Sequence, residues 1–123
     1  MRLALFTLLL VAAMPARTAD AETPFACNMT ALTRKERSVH QKASQKLFAA
    51  VQERKELGDG YAFRLPAEAL ETTAQWVALE RKCCPFFTFG MELARDDGPL
   101  WLRVTGSDGI KPFIRAEFGL EKE

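Results

Sequence analysis

The stretch Glu80-Arg81-Lys82-Cys83-Cys84-Pro85-Phe86-Phe87 places two adjacent thiols where a helix must stop and an aromatic strand begins. Thiolates are the ligands that soft metal ions prefer, and an ion captures them by displacing their protons. Cys83 and Cys84 together suit linear Hg(II) or Cu(I), with Cys27 as a third ligand. Zinc usually takes four ligands, so the three cysteines would need His40, the single histidine, or a carboxylate such as Glu80. The competing use of the same sulfurs is a disulfide from Cys27 to Cys83 or Cys84. A closed loop of about 56 residues would stabilise the fold by roughly 4 kcal/mol in the chain-entropy model. A cysteine can also serve simply as a small buried hydrophobe.

Catalysis has less to build on. The partial negative charge of a helix C-terminus and Glu80 both oppose a thiolate here, while Arg81 and Lys82 favour it, so no strongly acidified nucleophile is expected. A cysteine nucleophile also needs a base, and His40 falls on a different helix. Hydrolase triads, phosphate loops and dinucleotide fingerprints have no counterpart in the sequence, and the expectation is a protein that is not an enzyme.

The elements that must position these residues follow from periodicity. Leu70, Ala74 and Val77 share a helical face flanked by Trp76 and Leu79, which predicts a helix from about Ala67 to the cysteines. Pro85 ends it and pushes Cys84 out of the helical region, leaving Cys83 in the last turn. Upstream, Thr33 and Glu36 form a capping box, and Val39, Ala43, Leu47, Ala50 and Val51 continue a helix to about Leu57, where Gly58-Asp59-Gly60 breaks it. Arg34, Lys35, Lys42, Lys46 and Arg54 make the opposite, solvated face, and His40 sits beside the apolar stripe.

Pro24 to Met29 reads as a short strand, and Tyr61 to Leu65 as another. Phe87, Phe89, Met91 and Leu93 alternate with smaller or polar residues, as do Leu100, Leu102 and Val104 after the turn at Asp96-Asp97-Gly98-Pro99, which predicts a hairpin. Ser107 or Asp108 caps a last helix with Ile110, Phe113, Ile114 and Phe118 on its apolar face. The expected class is α+β: a small, largely antiparallel sheet with about three helices packed on one face.

Arg2, the apolar run Leu3 to Met14, and the small-residue pattern Ala19-Asp20-Ala21 have the three parts of a secretory signal peptide, with cleavage after Ala21. The expected organisation is therefore a leader at 1–21 and one domain at 22–123. Export implies a periplasmic or secreted protein in an oxidising compartment, where disulfides persist. The apolar run of about 12 residues is shorter than the roughly 20 that span a bilayer, so no stable membrane span is expected after cleavage. The region after Ala21 has 15 basic and 15 acidic residues. This balance removes nucleic acid from the expected partners and leaves a metal ion or a protein.

Pro24-Phe25-Ala26-Cys27-Asn28-Met29, Tyr61 to Pro66, Trp76 to Phe86 with its Glu-Arg-Lys-Cys-Cys-Pro-Phe ending, and Gly98 to Gly106 together resemble a group of small bacterial proteins. The resemblance implies a single domain and carries over no catalytic residue. Two functions stand from this reading. One is an exported thiol protein binding a soft metal ion through Cys83, Cys84, Cys27 and His40. The other is a secreted structural or interaction domain stapled by a Cys27 disulfide.

Overall fold

The computed structural model describes residues 25–121, so the expected leader at 1–21 lies outside the described residues. The elements in order are α1 (Arg34–Ala49), β1 (Glu53–Leu57), β2 (Gly60–Leu65), α2 (Leu70–Cys83), β3 (Thr88–Leu93), β4 (Leu100–Thr105) and α3 (Ile110–Glu117). Single 3-10 turns lie at Met29–Ala31 and Ala67–Ala69. The four strands form an antiparallel sheet in the order β1-β2-β4-β3, an α+β fold.

The capping box forms as expected: the Glu36 N–H donates to Thr33 Oγ1 at 3.1 Å and the Thr33 N–H to Glu36 Oε2 at 2.8 Å. The helix ends at Ala49, however, and not near Leu57. Glu53–Leu57 is instead a strand, joined to β2 by a hairpin in which Leu57 faces Gly60 across Gly58-Asp59. Its Glu-Arg-Lys-Glu composition hides the strand from a hydrophobic pattern, because β1 is a sheet edge and charged side chains are one way such edges are kept from pairing further. Gly60 is required at the turn of this hairpin, since a Cβ there would lie 2.8 Å from the Thr105 backbone.

Leu100, Leu102 and Val104 of β4 are fully buried. They face Leu65, Phe63 and Tyr61 of β2 on one side and Leu93, Met91 and Phe89 of β3 on the other. Each such fully buried side chain contributes about 1.5–3 kcal/mol relative to exposure. The helices cover this face. On the other, Trp101 lies under the Lys55 ammonium, 4.6 Å from its ring centroid. None of the helices among the described residues is long and apolar enough to cross a membrane.

Three local expectations are corrected. Residues 25–28 are not a strand: the Asn28 N–H donates to the Cys83 carbonyl at 2.7 Å, so the segment docks on the end of α2 rather than on the sheet. Neither Ser107 nor Asp108 caps α3; Gly109 precedes it at φ 87°, a left-handed conformation that glycine adopts without strain. The buried face of α2 is Thr73, Trp76, Leu79, Glu80 and Cys83, while Leu70 and Ala74 are exposed. Two polar residues on the inward stripe disguised it.

Candidate metal centre at the end of helix α2

The rotation of α2 carries Glu80 into the interior, where only 2% of the residue is exposed. A buried carboxylate needs a partner. His40 of α1 supplies it, with Nε2 hydrogen-bonded to Glu80 Oε2. Trp76, one turn before Glu80 on α2, stacks along the His40 ring at 6.4 Å between centroids and donates its indole N–H to Ser44 Oγ at 2.9 Å. The imidazole is thus fixed from two sides.

Cys83 lies in the last turn of α2 and is fully buried. Its Sγ sits 3.5 Å from the Glu80 carbonyl, to which it donates, 3.9 Å from Glu80 Oε2 and 3.7 Å from Cys84 Sγ. Cys84 is beyond the helix, at φ −125° and ψ 69°, as the following proline requires. That change of direction turns its sulfur to Cys27, and the two form a disulfide with Cα atoms 4.6 Å apart. The adjacent cysteines therefore divide their tasks. Cys84 holds the N-terminal segment, and Cys83 is the free thiol.

All four residues named as metal ligands from the sequence, Cys27, Cys83, Cys84 and His40, converge on Glu80. His40, Glu80 and Cys83 bring a nitrogen, an oxygen and a sulfur within 4.8 Å of one another; Cys27 and Cys84 lie equally close to Glu80, but their sulfurs are joined in the disulfide and offer no thiolate. Burial, and then the Glu80 charge, push the Cys83 thiol from 9.0 up to about 11. The sequence exposes the second cause but not the first. A bare Cys83 is accordingly a poor nucleophile at neutral pH, and a metal ion must displace its proton.

A cavity of about 250 Å³ opens beside His40 and Glu80, with Glu117 of α3 on its lining. Although Glu117 is exposed overall, partial burial of its carboxyl, and then Glu80, raise it above its ordinary value, against the opposing pull of His40. Glu117 escaped the sequence reading because it falls among the charged residues that end the chain. No family model, curated protein or solved structure matches the chain.

Proposed function

We propose that this is an exported thiol protein that binds a metal ion at the end of α2, through His40, Glu80 and Cys83 while the Cys27–Cys84 disulfide is closed. The observation that supports this reading is Glu80 itself: a buried carboxylate flanked by an imidazole nitrogen and a thiol, three donor types within 4.8 Å. One sulfur with one nitrogen and one oxygen matches borderline Zn(II), with a fourth position left for water. Hg(II) and Cu(I) prefer two thiolates, and with Cys84 in a disulfide they would bind well only after its reduction.

Equilibrium dialysis of the disulfide-intact protein against Zn(II) tests this. One ion per chain is expected, with none retained in Glu80→Gln and affinity at least tenfold lower in Cys83→Ser. Absence of zinc in the wild-type protein would reject the metal reading.

The disulfide favours a second reading, a secreted structural or interaction domain in which His40 and Glu80 only satisfy one another. It ties residue 27 to residue 84 across 57 positions and is backed by the Asn28 to Cys83 hydrogen bond. That reading gains if zinc fails to bind and reduction lowers the melting temperature.

A further inference from the structure

The cavity beside the candidate centre carries chemistry that the donor set leaves unused. Phe48, Trp76 and Phe118 line it, and these rings pack on one another with centroids 5.0–5.7 Å apart. His40 and Glu80, on the same lining, are engaged with each other. Glu117, an exposed residue of α3, places its carboxylate on the same lining, and among the described residues no hydrogen bond or ion pair engages it beyond the pull of His40. Lysine and arginine are absent from the described lining.

An apolar, aromatic-walled cavity with a solvent-accessible carboxylate at its edge is complementary to a guest that has an apolar body and a positive charge. Aromatic rings attract such a charge through their negative faces; Phe48 and Phe118 are the partly exposed rings of the lining, while Trp76 is buried with His40 stacked along it. A bare metal ion would leave the rings unused. The adjoining cavity, which shares Phe48 and Phe118, is also lined by Glu53 and Arg54 and so has its own cation.

We propose that the cavity between α1, α2 and α3 binds a small organic cation of the alkylammonium class, with Glu117 meeting the charge and Phe48, Trp76 and Phe118 enclosing the alkyl groups. This site uses no sulfur, although His40 and Glu80 of the proposed donor set share its lining, so its test is made on the metal-free protein.

The test titrates Trp101→Phe protein, in which Trp76 is the remaining tryptophan, with choline and with its neutral carbon isostere 3,3-dimethylbutan-1-ol. Choline should shift Trp76 fluorescence saturably and bind at least tenfold more tightly than the alcohol. Adding Glu117→Gln should weaken choline by about tenfold, the scale of one lost charge-assisted contact, and leave the alcohol unchanged. Adding Cys83→Ser should leave choline binding intact, which separates this site from the metal centre. Equal binding of the alcohol, unchanged choline affinity in the Glu117→Gln protein, or no saturable response to choline would each overturn the proposal.

Discussion

Two polar bridges join α1 to α2 one helical turn apart, and they lie on opposite sides of the solvent boundary. Glu36 accepts from Lys82 Nζ at 2.6 Å, with the lysine side chain half exposed. His40 meets Glu80 with side-chain exposures of 13% and 3%. The same two helices, and acceptors of the same kind, thus make one bridge in water and one inside the protein. Water already solvates the outer pair, so its formation changes little. The inner pair has no such alternative: once α2 is docked, Glu80 must have a partner, and removing that partner leaves a costly buried charge. Only the inner carboxylate is held away from water between the two helices.

The largest way to disturb this contrast is to loosen the end of α2 on which the inner bridge depends. Cys27→Ser should lower stability by about 4 kcal/mol through the lost disulfide, measured by urea denaturation against the oxidised wild type. Next, His40→Leu should cost about 3 kcal/mol by stranding Glu80, whereas the double variant His40→Leu/Glu80→Leu should recover most of the loss. Failure of the double variant to recover would mean that the helices need the polar pair for packing.

Cys83 sharpens the contrast through pH in the metal-free protein. Its folded value of about 11 lies above the ordinary thiol value of 9.0. The protonated thiol therefore contributes stability that is fully present below pH 9 and is lost as pH rises towards 11. Alkylation of the native protein by iodoacetamide should be slow at pH 8 and accelerate about tenfold per pH unit up to that value, since the thiolate is the nucleophile. Rapid alkylation at pH 8 would show the thiol to be neither buried nor opposed by Glu80. The smallest effect belongs to the outer bridge: Lys82→Gln should leave the melting temperature within experimental scatter at physiological salt.

Much of this arrangement is legible in the sequence because it follows from local chemistry. The capping box at Thr33, the stop at Pro85 and the alternation in β3 and β4 each depend on residues close in the chain. β1 is hidden from the sequence because an edge strand made of Glu, Arg and Lys carries no hydrophobic period. The face of α2 is hidden in the sequence because Thr73 and Glu80 sit on it, and the burial of Glu80 is decided by a partner elsewhere in the chain. Glu80 needs His40, forty positions away, before its place inside makes sense. For the same reason the sequence leaves the choice of Cys84 over Cys83 as the disulfide partner open: they are adjacent, and only the turn at Pro85 separates their directions.

The most direct measurement is X-ray absorption at the zinc edge on zinc-loaded protein with its disulfide intact. One sulfur at about 2.3 Å, with nitrogen and oxygen ligands at about 2.0–2.1 Å, is the expected coordination sphere, and the sulfur shell should vanish in Cys83→Ser. A sphere without sulfur, or a sulfur shell unchanged in that variant, would contradict the assignment of His40, Glu80 and Cys83 as the donor set.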